Sequence, residues 1–170
     1  MNYKAALILR VLLISPLSAE IRAHRETTLN LQLPAPPAEV FPLFGPVRET
    51  EWSPDWKPRF LFPAESGQKV GAVFTTKHGA GDAVWVLAAY DESALRMTYV
   101  IVFPGMVATK LDIALKPAPD GNTAASVTYR QTALSEKGDH YVMQFADQLP
   151  GERDHWEQAI AHVLKSGTKK

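Results

Sequence analysis

Four polar side chains occupy positions in this sequence where the surrounding pattern predicts apolar ones. Each lies on the apolar side of a stretch that alternates between apolar and polar residues; they are Tyr99, Thr109, Tyr129 and Gln131. A buried hydroxyl or amide without a partner costs about 1–3 kcal/mol, so we expect these groups to bond to one another, to internal water or to a ligand. Small-molecule pockets are mostly apolar and carry a few such groups.

Two tryptophans lie in a proline-rich stretch, EWSPDWKPRF at 51–60. Trp52 and Trp56 are four residues apart, with Pro54 and Pro58 interleaved. Because each proline fixes its own φ and drives the preceding residue toward an extended conformation, neither a helix nor a central strand is expected here. Burying a large apolar side chain contributes roughly 1.5–3 kcal/mol, so both indoles should lie against other groups. They either plug one end of the core or line a cavity entrance and stack on a ligand.

No arrangement typical of covalent or metal chemistry is visible in the sequence. The chain has no cysteine, which excludes disulfides, thiolate nucleophiles and Cys-ligated metals, and it has neither GxSxG nor HExxH. A zinc site needs three or more convergent ligands, whereas the five histidines are scattered along the chain: His24, His78, His140, His155 and His162. We therefore predict no catalytic residue, no cofactor and no metal site.

Three charged residues and one glycine-rich segment have simple interpretations. Asp112 and Arg130 fall on the outer side of their stretches, where a cross-strand ion pair contributes little to stability. Arg59 follows the tryptophans and could meet an anionic head group at a pocket mouth. The HGAGD segment at 78–82 lies between two predicted strands, whereas phosphate-binding loops open helices. It is therefore predicted to be a turn.

The composition is that of a soluble globular protein. The 170 residues are 46% hydrophobic and 21% charged, and they suffice for one domain with a sizeable core. Lys+Arg and Asp+Glu both count 18. A nucleic-acid-binding protein usually shows a basic excess or a basic stripe, so a nucleic-acid partner is not expected. The oligomeric state is left open.

The first 19 residues have the pattern of a secretory signal peptide. Lys4 and Arg10 give a positive start, residues 11–17 are apolar, and Ala19 offers a small residue for cleavage. Arg10 splits the apolar stretch, so a frayed helix or a mis-assigned start codon is the alternative. The protein is expected to be periplasmic or secreted if 1–19 are cleaved, and cytoplasmic otherwise. The run is too short and too charged to span a bilayer.

Local patterns predict a strand and then short helices. ETTLNLQL at 26–33 alternates leucine with polar residues, as a half-buried strand does. The prolines at 36 and 37 suit a first helical turn, so a short helix is predicted to begin there and to end near Pro42 or Gly45. A second short turn of helix is predicted over 47–51.

Antiparallel strands are predicted for the middle of the chain. They cover 59–62, 70–77, 83–90, 95–103, 107–116 and 123–133. Turn signals between them, DES at 91–93 and PDGN at 119–122, favour hairpins, and hairpin-linked strands form a meander with one wet face. The stretch around Trp85 is apolar on both sides, so the face that this side chain occupies is left open.

One long amphipathic helix is predicted from about Lys137 to Lys165. Its apolar residues recur at helical spacing and form one stripe, and Pro150-Gly151 predicts a kink or break near 150. A curved sheet needs its concave face covered, and this helix is the only element long enough. The predicted fold is α+β, a curved antiparallel sheet of about six to seven strands wrapped around the C-terminal helix. The single domain covers 26–166, preceded by a signal peptide or disordered segment at 1–25 and followed by a tail at 167–170.

The element order and several local motifs resemble the helix-grip superfamily, also called START-like, Bet v 1-like or SRPBCC. The motifs are LPAPPAEVFPLF after the first strand, W-x-P-x-W-x-P from Trp52 to Pro58, VGAVFTT, the dipeptides VW and YD, and HWEQAI in the last helix. The resemblance covers about 26–165 and extends to small bacterial proteins of the polyketide cyclase/dehydrase type. It implies a deep apolar cavity between sheet and helix that binds lipids, steroids, polyketides or similar molecules.

Three functions are compatible with these observations. The first is binding, without catalysis, of a hydrophobic or amphipathic small molecule in the cavity. The second is a cyclase- or dehydrase-type reaction on a polyketide-like substrate, and the third is an interaction domain with a filled core. Beyond the four polar groups named first, the candidate ligand-binding residues are Trp52, Trp56, Arg59, Phe74, Trp85, Phe145 and Trp156. A cavity of at least roughly 300 Å³ would favour the first two functions, and a titratable group facing it with a perturbed pKa would favour the second.

Overall fold

The computed structural model describes residues 21–65, 67–78 and 81–167. The segment 1–19, interpreted above as a signal peptide, lies outside the described residues. Seven strands follow one another along the chain: β1 His24–Leu33, β2 Arg59–Phe62, β3 Val73–His78, β4 Gly81–Asp91, β5 Arg96–Phe103, β6 Val107–Pro117 and β7 Thr123–Ala133. The helices are α1 Pro37–Val40, α2 Glu136–Gln148 and α3 Arg153–Gly167, with 3₁₀ segments at Phe41–Phe44, Arg48–Glu51 and Leu149–Glu152.

The strands form one antiparallel sheet in the order β1-β7-β6-β5-β4-β3-β2. Consecutive strands from β2 to β7 are neighbours, as expected of hairpins, and β1 closes the sheet beside β7. The α+β prediction and the predicted strands are therefore confirmed. β1 begins at His24, two residues before the predicted start, and β3 begins at Val73 because Gly71 has a φ of 86° and belongs to a turn.

The terminal helix begins with a serine cap. The Ser135 hydroxyl oxygen accepts a hydrogen bond from the Gly138 N–H (3.1 Å), and the hydroxyl O–H donates one to the carbonyl of Gly105 (2.7 Å). This cap satisfies one of the free N–H groups of the first turn and also ties the helix to the β5–β6 turn. The predicted break occurs at Leu149–Glu152, where Pro150 cannot continue the α-helical hydrogen bonding.

The first turn of α2 is also held by the N-terminal end of the described chain. Asp139 accepts hydrogen bonds from the guanidinium of Arg22 (2.9 Å) and from the N–H of Ala23 (2.7 Å). α2 packs on β7 and β1, and α3 packs on β1. The long helix therefore lies along the concave face of the sheet. None of the described helices is long and apolar enough to cross a membrane.

The two faces of the sheet differ as the alternation predicted. On the outer face, the guanidinium of Arg130 pairs with Asp112 and with Glu26 (2.9 Å), so the predicted Asp112–Arg130 ion pair is present. The inner face carries the core, whose largest fully buried side chains include Phe41, Phe44, Phe74, Leu31, Leu87 and Met97. The inward polar residues named above lie on this same face.

Candidate functional site

A cavity of about 200 Å³ lies between the inner face of the sheet, the terminal helix and the segment around the two tryptophans. Strands β4 to β7 supply its floor, α2 and α3 supply one wall, and the 3₁₀ segment Arg48–Glu51 with the following loop supplies another. Its lining residues are Glu49, Trp56, Ala83, Trp85, Ile101, Phe103, Val107, Thr109, Tyr129, Gln131, Tyr141, Phe145 and Trp156. A narrow void of about 20 Å³ shares several of these residues and leads toward Trp52 and Tyr99.

Trp52 and Trp56 have different roles although one short loop carries both. Trp52 is buried, and its indole N–H donates to the carbonyl of Leu43 (2.7 Å) while its ring packs on Trp156 with centroids 5.2 Å apart. Trp56 is half-buried, and its N–H donates to the carbonyl of Pro46 (2.8 Å). The first indole is therefore a core plug that touches only the narrow void, and the second is a wall of the main cavity.

An aromatic cluster forms the side of the cavity next to Trp56. Trp56 meets Trp85 edge-on, with centroids 5.0 Å apart, and Trp85 stacks on Phe74 at 5.7 Å. The indole N–H of Trp85 donates to the Thr76 hydroxyl (2.8 Å). Such edge-to-face and stacked pairs add roughly 0.5–1.5 kcal/mol each beyond burial. This cluster keeps both cavity-lining indoles in place with their N–H groups satisfied.

The inward polar groups are satisfied to different degrees. The Tyr99 hydroxyl donates to the carbonyl of Phe44 (3.1 Å). Gln131 is only 3% exposed, and its Oε1 has no hydrogen-bond partner among the described residues. Leaving a buried amide oxygen unpaired costs about 1–3 kcal/mol, so this atom is an open hydrogen-bond acceptor at the cavity.

One carboxyl group lines the cavity, that of Glu49. Its neighbours in the 3₁₀ segment pair with each other, because the Arg48 guanidinium bonds both carboxylate oxygens of Glu51 at 2.8 Å. In the described part of the chain neither a hydrogen bond nor an ion pair reaches the Glu49 carboxyl. Burial among apolar groups raises its pKa to about 8, because the charged form loses its hydration.

The cavity tyrosines stay neutral at ordinary pH. Burial, followed by the negative charge of Glu49, raises the pKa of Tyr99 and of Tyr129 well above the usual value for a phenol. Burial alone raises the pKa of Tyr141. The lining of the cavity and of its narrow extension contains no lysine, arginine or histidine. Glu49 is therefore the one group of this lining that changes charge near neutrality.

No protein-family model matches the chain, and no curated protein sequence matches it. Solved structures do match it. Ara h 8.0201 is 17% identical, with a TM-score of 0.61 over 84% of this chain and 99% of its own. A norcoclaurine synthase mutant from Thalictrum flavum, solved with a transition-state analogue, is 11% identical, with a TM-score of 0.65 over 88% of this chain and 99% of its own. DynU16, from the dynemicin biosynthetic locus, is 16% identical, with a TM-score of 0.55 over 84% of this chain and 48% of its own.

The chain has the helix-grip fold. At these identities the matches establish the architecture, which is the Bet v 1-like or SRPBCC fold that the local motifs had indicated. A seven-stranded curved sheet holds a terminal helical region of 32 residues, with the short helices placed after the first strand. The fold by itself does not identify the ligand or the reaction.

The helix-grip cavity brings together seven of the eleven predicted ligand-binding residues: Trp56, Trp85, Thr109, Tyr129, Gln131, Phe145 and Trp156. Trp52 and Tyr99 line the narrow extension. Phe74 lies outside the lining, fully buried behind Trp85. Arg59 lies outside it as well, exposed on the edge strand β2, with its Nε 3.4 Å from the Thr75 hydroxyl. The main void, at about 200 Å³, falls short of the roughly 300 Å³ that would favour the first two functions, although the core is not solid.

Glu49 is the functional candidate that sequence reasoning missed. It belongs to the run RETE at 48–51, which has the charge pattern of a solvated turn. Glu49 and Trp52 are nevertheless one turn apart, since the Trp52 N–H bonds to the Glu49 carbonyl (3.3 Å), and residues three apart share a helical face. The inward direction of Trp52 was the available signal that Glu49 also faces inward.

A second depression, of about 480 Å³, lies elsewhere on the helix-grip domain. It is lined mainly by outward-facing residues of β1 and β5 to β7, among them Arg96 and Lys116. Its lining is largely polar, and no buried polar atom there lacks a partner among the described residues. Its larger volume therefore carries less weight than the apolar, aromatic lining of the inner cavity. The described residues contain no group of three metal-binding side chains.

Proposed function

We propose that this protein binds a small hydrophobic or amphipathic molecule in the cavity between the sheet and the C-terminal helix. The observation that carries the proposal is the unpaired Oε1 of Gln131 on a lining that is otherwise mostly apolar and aromatic. A ligand with one polar group would bury its apolar surface against this lining and satisfy the amide.

The volume of the cavity limits the size of the ligand. A dry engineered cavity of about 150 Å³ holds benzene, so about 200 Å³ accepts roughly one ring with a short substituent. This is the compact end of the lipid-, polyketide- and steroid-like molecules that the fold resemblance suggests. A larger ligand would have to displace Trp56, which is half-buried on the loop beside the cavity.

Native mass spectrometry of the full-length protein, purified from its own host, tests this proposal. We expect an added mass of roughly one to a few hundred daltons that dissociates on mild activation. The same measurement on Gln131→Met should show reduced occupancy, whereas Arg59→Ala, outside the lining, should not. A wild-type protein without added mass, which also binds no compact aromatic probe in a titration, would contradict the proposal. The spectrum also tests the predicted removal of residues 1–19.

A second candidate is a cyclase- or dehydrase-type enzyme that uses the same cavity. Glu49 favours it, because a carboxyl group with a pKa of about 8 can both donate and accept a proton near neutral pH. A structural neighbour that is a synthase solved with a transition-state analogue supports the same candidate. In this case Glu49→Gln would abolish turnover and leave binding intact, whereas loss of both would point to a role of Glu49 in binding.

A further inference from the structure

Glu49 faces the cavity without a cation to accompany it. The only basic residue in its own 3₁₀ segment, Arg48, is already paired with Glu51 through two hydrogen bonds of 2.8 Å. The lining of the cavity, taken over the described residues, adds no lysine, arginine or histidine. Glu49 is half-buried, and a carboxylate withdrawn from bulk water is costly unless it is paired, so a cationic ligand would stabilise its ionised form.

The rest of the lining also suits a cation. Three indoles and two phenols line the same void as Glu49, those of Trp56, Trp85, Trp156, Tyr129 and Tyr141. The negative face of an aromatic ring attracts ammonium groups, by about 0.5–2 kcal/mol depending on desolvation. Because the indole N–H groups of Trp56 and Trp85 are bonded to the protein, these residues offer their rings and not a hydrogen-bond donor.

Gln131 supplies an additional acceptor. Its Oε1 is buried and unpaired, and the residue lines the same cavity as Glu49. An ammonium group carries three N–H donors and no acceptor. An amine therefore brings enough donors for both acceptors of this lining, the carboxylate and the glutamine oxygen.

We propose that the ligand of this cavity is a compact hydrophobic amine, bound as its ammonium cation against the Glu49 carboxylate and within the aromatic lining. The inference rests on the proposed binding function and names its ligand class. It differs from the enzyme candidate because Glu49 here becomes ionised as a counter-ion when the amine binds and does not exchange a proton with a reacting atom.

Proton release on binding would follow from this arrangement. In the ligand-free cavity, burial keeps Glu49 largely protonated up to a pH of about 8, and an incoming ammonium group favours the ionised form. The titratable groups whose pKa responds to the charge of Glu49 are Tyr99 from β5 and Tyr129 from β7. Tyr141 from α2 lines the same cavity, and the raised pKa values of all three keep them neutral below pH 9. Affinity for the amine should therefore rise with pH between about 6 and 8.

Four aromatic probes of one size test the proposal by isothermal titration of the full-length protein. Benzylamine is cationic, benzyl alcohol and toluene are neutral, and benzoate is anionic. We expect benzylamine to bind at least tenfold more tightly than benzyl alcohol at pH 7, to release about one proton when titrated in two buffers of different ionisation enthalpy, and to bind more tightly at pH 8 than at pH 6. Benzoate should not bind measurably.

Two variants show whether Glu49 causes the preference. Glu49→Gln should bind benzylamine and benzyl alcohol within about threefold of each other. Glu39→Gln, an exposed residue of α1, should behave as the wild type. If the neutral probes bind as tightly as benzylamine to the wild type, the amine inference is wrong and the cavity-binding proposal stands. If none of the four probes binds, both are wrong. The wild-type series and its pH dependence need no variant, so a poorly folded Glu49→Gln would not leave the inference undecided.

Discussion

The indole rings of Trp56 and Trp85 meet at 90°, with their centroids 5.0 Å apart. One comes from a proline-stiffened loop and the other from the middle of β4, and both line the cavity. The indole N–H of Trp56 donates to the Pro46 carbonyl, and that of Trp85 donates to the Thr76 hydroxyl. Each ring is therefore held both by its own hydrogen bond and by the contact with the other ring. This contact is what fixes the loop as a wall of the cavity.

Replacing Trp56 by alanine should open this wall. The change removes the edge-on contacts with Trp85 and Phe74, and we expect the free energy of unfolding to fall by about 1–3 kcal/mol, less than for a fully buried tryptophan. Affinity for a compact aromatic ligand should fall by tenfold or more. Urea denaturation and calorimetric titration measure the two effects. Arg59→Ala is the matched control on the neighbouring strand, and an equal loss of affinity there would argue against the assignment.

Regular alternation explains which site residues could be predicted from the sequence. Thr109, Tyr129 and Gln131 line the cavity because side chains two apart on a strand share one face, and the apolar partners of that face mark it as the inner one. The role of Trp85 could not be predicted, since both sides of its stretch are apolar. Phe74 was predicted to line the cavity and does not, for a related reason. Alternation shows which face of the sheet a side chain occupies, but it does not show whether another ring lies between that side chain and the cavity.

Glu49 could not be predicted from local pattern because its position depends on tertiary structure. A 3₁₀ segment of four residues is too short to show a hydrophobic period, and three of its four residues are charged. It faces inward only because Trp52, one turn later, is buried against Trp156. The size of the cavity could not be predicted from the sequence either, because it depends on how closely α2 and α3 approach the sheet.

Replacing Gln131 by methionine, which has a similar shape, should separate stability from binding. The ligand-free protein loses a buried, unpaired amide oxygen, so we expect the free energy of unfolding to stay equal or to rise by up to about 1 kcal/mol. Affinity for a ligand that donates a hydrogen bond should fall by about fivefold or more, and affinity for toluene should be unchanged or higher. A clear loss of stability in thermal unfolding would show that the amide is satisfied in solution, contrary to this interpretation.

Gly138 should be intolerant of a side chain. A Cβ atom there would lie 1.9 Å from the carbonyl oxygen of Met106 and 3.3 Å from the Cβ of Ala133, so α2 would have to move away from the β5–β6 turn. We expect Gly138→Ala to lower the free energy of unfolding by about 1–3 kcal/mol, although alanine is the better helix former.

Gly151 is the matched control for Gly138. It is exposed, and a Cβ atom there would have nothing within 4 Å. Gly151→Ala should therefore leave the stability unchanged or raise it by up to about 1 kcal/mol, because alanine restricts the unfolded chain more than glycine does. Parallel urea denaturation of the two variants measures the difference, and equal stabilities would argue against a close approach between the helix and the turn.

Glu49 should make the stability of the ligand-free protein fall as the pH rises. Folding raises the pKa of this carboxyl from about 4.5 to about 8 through burial, so the folded state holds a proton that the unfolded state has lost. Below pH 4.5 both states are protonated and Glu49 carries no penalty. Between pH 4.5 and 8 this carboxyl is ionised only in the unfolded state. Ionisation lowers the free energy of the unfolded state, so the free energy of unfolding declines as the pH rises. Above pH 8 the loss is complete.

Glu49→Gln removes this dependence, which gives the prediction its measurement. A tenfold change in an ionisation constant corresponds to about 1.4 kcal/mol. Partial solvent access to Glu49 reduces the total, so we expect the variant to gain on the order of 2–4 kcal/mol over the wild type between pH 4.5 and 8.5. Urea denaturation across this range, with Glu39→Gln as the control, follows the difference. A constant difference between wild type and Glu49→Gln would mean that the carboxyl is hydrated or paired in solution, and the counter-ion role proposed for it would lose its electrostatic basis.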